Sequence, residues 1–156
     1  MINVEYVNPF IAATLQALEV MAGLRPTRGS PFAKVTCVAK GDISGVISLT
    51  GDDTVGSVAL TFSEGLARRL YSSMVGEVAS TLSREVKDAV GEVANMIAGG
   101  AKAVLVQSGH SFRIGIPVVV MGKNHLIDHK GVMPCLVVPF QLEDDTFWLE
   151  VTLKSR

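Results

Sequence analysis

The chain has 156 residues, 48% of them hydrophobic and 19% charged, with a formal net charge of −1; this is enough for one well-filled domain, and it excludes a disordered chain. A near-neutral balance without a Lys/Arg cluster argues against a nucleic-acid partner. Mean hydropathy is +0.38, but no apolar run is expected to approach the roughly 20 residues of a membrane span, and MINVEYVNPF lacks the basic-then-apolar pattern of a signal peptide, so a single cytoplasmic domain over residues 1–156 is expected.

The first predicted helix covers Pro9 to Ala22, with Phe10, Ile11, Leu15 and Leu18 at helical spacing and Gly23 suited to its end. Arg25–Pro31 reads as a loop. Three strand-like runs follow, Phe32–Lys40, Ile43–Thr50 and Val55–Phe62, with Gly41-Asp42 and Gly51-Asp52-Asp53 as tight turns rather than acidic metal loops. A meander of antiparallel strands is expected there. Ser63 resembles the N-cap of a second helix, Glu64–Val75, closed by Gly76. A polar linker leads into a long third helix, about Leu82 to Gln107. Further strand-like runs cover His110–Met121, His125–Asp128, Val132–Phe140 and Thr146–Lys154. Pro117 and Pro139 place two of these at edges or bulges. The last run alternates, with Phe147, Leu149, Val151 and Leu153 on one face and Trp148, Glu150 and Thr152 on the other. Trp148 is therefore either an interface residue or one covered by a helix. The order predicts an α+β domain with helices on one face of antiparallel sheet. A weak duplication is visible: Glu5-Tyr6-Val7-Asn8 echoes Glu92-Val93-Ala94-Asn95, and in each half a helix precedes a set of strands.

The third helix carries the main candidate site. At about 100° per residue, Val86, Val90, Val93 and Ile97 share one face. Glu92 and Asn95 project from the opposite face as neighbours at i,i+3. Gly91, Ala98 and Gly99 surround them with little bulk. A helical glycine costs about 1 kcal/mol relative to alanine, and an outer face has no core to demand one. The expectation is a bare, solvent-facing surface that another molecule can approach closely. Asp88 lies on the same face one turn earlier, as a peripheral docking group or simply an acid near the helix N-terminal half.

The remaining chemistry-bearing residues read as structural. Cys37 and Cys135 share no CxxC spacing and are expected as free, buried thiols on strands. His125, Asp128 and His129 are metal-ligand types, but strand alternation turns Asp128 away from the histidines. Ser108-Gly109-His110-Ser111 lacks the third group that a nucleophilic triad needs, and His110 is expected to be structural or exposed.

Three segments in order, NPFIAATLQALEVMAG, GDISGVISLTGD and DAVGEVANMIAGGAK, resemble the CheX branch of the CheC/CheX/FliY family of response-regulator phosphatases. The last matches the family's Glu-x-x-Asn signature with its small following residues. The resemblance implies a pseudo-duplicated α-β-β-β architecture and hydrolysis of the aspartyl-phosphate of a regulator, typically CheY. Glu92 and Asn95 are then the catalytic positions: Asn95 orients the attacking water, and Glu92 contacts a lysine beside the phosphorylated aspartate. Asp88, Gly91, Ala98 and Gly99 would form the docking surface. The chain would need no cofactor or metal of its own, because the regulator carries a divalent ion. A homodimer built partly from sheet edges is implied, and the absence of an appended switch domain disfavours a FliY-like protein. An amide suits water positioning, having one acceptor and two donors and no titration, as a Gln does in GTPases. A carboxylate there would repel phosphoryl oxygens, so Glu92 is better read as a docking group. In the first copy Pro9 follows Asn8, which biases Asn8 to extended geometry and to an N-cap role, with Glu5 at or before the helix start. One working site per subunit is expected. The alternative is a regulator-binding scaffold of the same fold without catalysis. An independent small-molecule hydrolase has little support, because P-loop, nucleophile-elbow and metal-ligand spacings are absent.

Overall fold

The computed structural model describes residues 4–155. A single 3-10 turn, Val4–Tyr6, runs directly into helix α1, Asn8–Ala22. Because the chain arrives already turned, Val7 is in the helical region (φ −84°, ψ −35°) and Asn8 is helical, with no side-chain cap. The expected N-cap role of Asn8 is thus not realised. Pro9 sits in the first turn, where its missing N–H has no partner to lose. Gly23 closes α1 in the left-handed conformation (φ 65°). Helix α2 spans Glu64–Val75, with the Ser63 hydroxyl accepting from Leu66 N–H at 3.2 Å and Gly76 ending it at φ 78°. Helix α3 spans Arg84–Gln107, capped by Ser83 in the same way.

The strands are β1 Thr27–Arg28, β2 Phe32–Lys34, β3 Ile43–Thr50, β4 Thr54–Phe62, β5 Arg113–Ile114, β6 Val118–Met121, β7 Cys135–Leu142 and β8 Asp145–Ser155. They form one antiparallel sheet in the order β1-β7-β8-β4-β3-β5, with β2 also on β7 and β6 also on β3. The β3–β4 hairpin turns at Gly51-Asp52-Asp53 as expected, with Thr50 paired to Val55. The meander does not extend further. Only Phe32–Lys34 of the first run is strand, and it pairs with Cys135–Val137 of β7, not with β3. The duplication explains the exchange. Hairpins β3–β4 and β7–β8 meet at a central β4–β8 pairing, and the short strands of each half lie on the hairpin of the other. The single run His110–Met121 is cut at Gly115-Ile116-Pro117 into β5 and β6, and His125–Asp128 contributes only one bridge, Val38 to Leu126. Pro139 stands opposite the gap between β1 and β2, where its carbonyl accepts from Gly29 N–H at 2.7 Å.

All three helices cover one face of this sheet. Val58, Leu60, Phe62, Phe140, Phe147, Leu149 and Val151 meet Phe10, Leu18, Leu66, Val90, Val93 and Ile97 in the core, all nearly inaccessible to solvent. The Phe140 and Phe147 rings stack at 5.1 Å and Phe62 tilts against Phe147 at 5.2 Å. The opposite face is covered by the chain around residues 32–40 and 122–134, not by a helix. Half-buried Trp148 lies beside Phe32–Lys40 there, so the expected cover by a helix is not what it has. Helix α3 is long and apolar enough by composition to cross a membrane, contrary to the sequence expectation. Half of that stretch is nevertheless inside the domain.

Candidate functional site

Helix α3 reaches the sheet closely at one point. A Cβ on Gly45 of β3 would lie 3.0 Å from the Ala94 methyl and 3.1 Å from the Val90 carbonyl oxygen. The glycine lets α3 sit directly on β3, and this fixes the height and rotation of the helix's outer face. Val86, Val90, Val93 and Ile97 point inwards at 0% exposure, and Glu92 and Asn95 are exposed on the other side. The helical wheel and the structure agree on this.

Glu92 and Asn95 border an open cleft of about 400 Å³, lined also by Lys87, Asp88, Gly91, Pro117 and Val119. Asn95 borders a second groove as well, about 350 Å³, where α3 meets α1 along Ala13, Gln16, Ala17 and Val20. The bare shell expected around the pair divides in two. Gly99 is partly exposed, and a Cβ there would meet nothing within 4 Å. Gly91 is buried: a Cβ on it would touch Val119 at 3.4 Å and Pro117 at 3.7 Å. Gly91 is therefore the floor of the cleft, and a Cβ there would stand in ordinary contact with the β6 side of the sheet. Ala98 is 0% exposed within the core, so its assignment to a docking surface is corrected: it offers a partner no surface. Asp88 is exposed on the cleft rim.

Pro117 and Val119 were absent from the sequence reading of the site. They stand opposite Asn95 only because β6 pairs with β3 beneath α3; the signal was Pro117 interrupting a strand-like run. The cleft thus carries an amide, two carboxylates and one ammonium, and no Ser, Cys or His lines it. These groups can position and pair, and a hydroxyl, thiol or imidazole nucleophile is not among the described residues that line the cleft.

The first copy of the signature is arranged differently. Glu5 lies in the 3-10 turn, and Asn8 is the first residue of α1, exposed. Asn95 sits midway along α3.

The metal-ligand types are dispersed. His125 Nε2 bonds Ser44 Oγ at 2.7 Å and its Nδ1 bonds the Gly122 carbonyl at 2.7 Å. Asp128 is exposed and accepts from Lys130 N–H. His110 packs edge-on against Tyr6 at 4.6 Å. His129 instead joins a buried cluster on the sheet face away from the helices. Its Nε2 bonds Glu150 Oε1 at 2.9 Å and its Nδ1 bonds Ser57 Oγ. Lys34 Nζ donates to Glu150 Oε2 at 2.8 Å and the Cys135 thiol to Oε1 at 3.4 Å. Burial would raise the Glu150 carboxyl, but hydrogen bonds from His129 and Lys34 outweigh it and hold the group below its usual 4.5. Burial, then the Glu150 charge, pushes the Cys135 thiol up to about 12. His129, Cys135 and Glu150 offer three donor atoms within 4.8 Å of one another. The thiol keeps its proton at neutral pH, however, and Lys34 already balances the carboxylate. The cluster's hydrogen bonds are satisfied among its own side chains. Cys37, expected to be buried, is exposed on the covering segment.

A family model described as "Chemotaxis phosphatase CheX" matches residues 43–141, which contain all of α3 and its Glu92/Asn95 face. The chain belongs to the CheX family. A curated relative, "CheY-P phosphatase CheX" of Thermotoga maritima, is 29% identical over 150 residues, 96% of each chain. The solved structure of the chemotaxis protein CheX from Vibrio vulnificus is 41% identical with a TM-score of 0.88, covering 96% of this chain and 99% of that one. That of a CheX-CheY-BeF3-Mg complex from Borrelia burgdorferi is 28% identical with a TM-score of 0.80, covering 97% and 99%.

Proposed function

We propose that this chain dephosphorylates the aspartyl-phosphate of a CheY-type response regulator in chemotaxis, with Asn95 as the catalytic group. The observation that carries this reading is an exposed amide halfway along a long helix, beside an open cleft whose described lining holds no Ser, Cys or His. Such a surface completes a site on another molecule. The Thermotoga relative is named as a phosphatase of CheY-P, and the Borrelia relative was solved with CheY, BeF3 and magnesium. In the proposed step a water held by the Asn95 carboxamide attacks phosphorus in line. The bond from phosphorus to the aspartyl oxygen breaks, and aspartate and inorganic phosphate leave. Phosphoryl transfer asks mainly for positioning and charge stabilisation. Glu92 pairs with a lysine of the regulator, and the divalent ion comes with the regulator. Gly99, with open space around it, allows close approach.

One site per subunit is part of the proposal: Asn8 is the first residue of α1, followed by Pro9, whereas Asn95 stands midway along α3. A homodimer through β6 is part of the proposal: no strand pairs with its outer edge among the described residues, Val118 and Met121 within it are exposed, and so is Ile116 just before it. A receiver-domain substrate places the protein in the cytoplasm.

The test is phosphate release from a panel of phosphorylated receivers. Wild type should accelerate release, and Asn95→Ala should return it to the regulator's own rate while binding persists. Removal of one preorganised polar group of this kind costs about 10²–10³-fold. Equal release from both proteins refutes the role of Asn95, and binding without acceleration by wild type identifies a scaffold.

A further inference from the structure

Lys87, Gly91 and Asn95 lie in one i,i+4 row along α3. Helical side chains lean towards the N-terminus, so Asn95 leans over Gly91. Gly91 has no side chain to fill the space, and Pro117 and Val119 close it from the sheet side. The result is a bay with an amide at one end and the half-buried Lys87 at the other. Nothing on its own helix neutralises Lys87. Its row neighbours are Ser83, Arg84, Val90 and Gly91, while Asp88 and Glu92 are one and five residues on and do not face it. Among the described residues no carboxylate pairs with its ammonium. Asp88 and Glu92 are the other charges around this cleft, and both repel a phosphoryl group carrying about −1.5 to −2. Lys87 is the cation available to offset them.

We propose that Lys87 reads the phosphoryl charge of the docked regulator and is the specificity-determining residue that favours the phosphorylated form over the unphosphorylated one. This rests on the reading of the cleft given above.

The experiment titrates each receiver of the panel, with and without beryllofluoride and Mg²⁺, against wild type, Lys87→Gln and Lys87→Arg. Phosphate release is followed in parallel. Gln is nearly as good a helix former as Lys, and circular dichroism checks the fold. Wild type should prefer the loaded receiver. Lys87→Gln should lose about tenfold of that preference, as expected for one charge-assisted contact, and should raise KM alike at unchanged kcat. Lys87→Arg should retain both, and the salt dependence of the preference should shrink in Lys87→Gln. Unchanged preference, an equal loss towards both forms, or a fall in kcat at constant KM would each overturn the proposal. Lost preference where wild type accelerates nothing would sustain Lys87 and refute the phosphatase reading. Acceleration with preference unchanged would do the reverse; no preference in wild type for any receiver would refute the role of Lys87, and no acceleration besides would refute both.

Discussion

Glu150→Gln tests the buried cluster behind the sheet. Glu150 is 0% exposed and holds Lys34 at 2.8 Å, His129 at 2.9 Å and Cys135 at 3.4 Å. Glutamine keeps the shape and one acceptor but removes the charge. The Lys34 ammonium, itself 6% exposed at the side chain, is then left buried and uncompensated. Breaking one side of a buried ion pair costs about 3–5 kcal/mol, a large fraction of the 5–15 kcal/mol that holds a typical domain together. At a urea slope of about 2 kcal/mol per molar, the midpoint should fall by roughly 1.5–2.5 M. The double variant Lys34→Met/Glu150→Leu should recover part of that loss, because no orphaned ammonium remains although His129 Nε2 loses its partner. Wild-type stability should also depend on acid. The folded Glu150 carboxyl lies below its usual 4.5, so its contribution is complete above that value and is lost as pH falls through the lower folded value. Glu150→Gln should flatten this limb. Phosphate release per folded molecule should not change, since the cluster and α3 occupy opposite faces of the sheet. A midpoint shift below about 0.5 M, or a double variant less stable than Glu150→Gln, would refute the charge argument.

Gly99→Leu should leave the melting temperature within a few degrees of wild type, because a Cβ there meets nothing within 4 Å, while weakening capture of a loaded receiver by tenfold or so; isothermal titration checks the affinity, and unchanged binding would remove Gly99 from the docking surface. Thiol labelling of the native protein at pH 8 should modify Cys37, which is exposed, and spare Cys135, which is buried with its thiol pushed up to about 12. Mass spectrometry after urea treatment should then show both cysteines labelled.

Much of the candidate site was legible before folding because its information is local. Helical periodicity separates Val86, Val90, Val93 and Ile97 from Glu92 and Asn95 whatever the helix packs against. The Ser63 and Gly76 boundaries of α2 likewise depend on a few neighbouring residues, as does the β3–β4 turn. What periodicity could not show is which small residues are bare because a visitor needs room and which because another element already lies there. Gly91 and Ala98 look like Gly99 in sequence, and only the position of β6 and the core tells them apart.

Strand partnership is the other matter that only tertiary structure decided. Phe32–Lys34 alternates as well for β3 as for β7, and its choice of β7 lies about a hundred residues away. The same distant pairings gather Lys34, Ser57, His129, Cys135 and Glu150 into one buried cluster and set Pro117 and Val119 against the cleft. A short run of sequence specifies a helix face and its ends because those contacts span three or four residues. It leaves sheet neighbours open, because any strand of matching alternation can supply the hydrogen bonds, and the choice falls to the packing of the whole core.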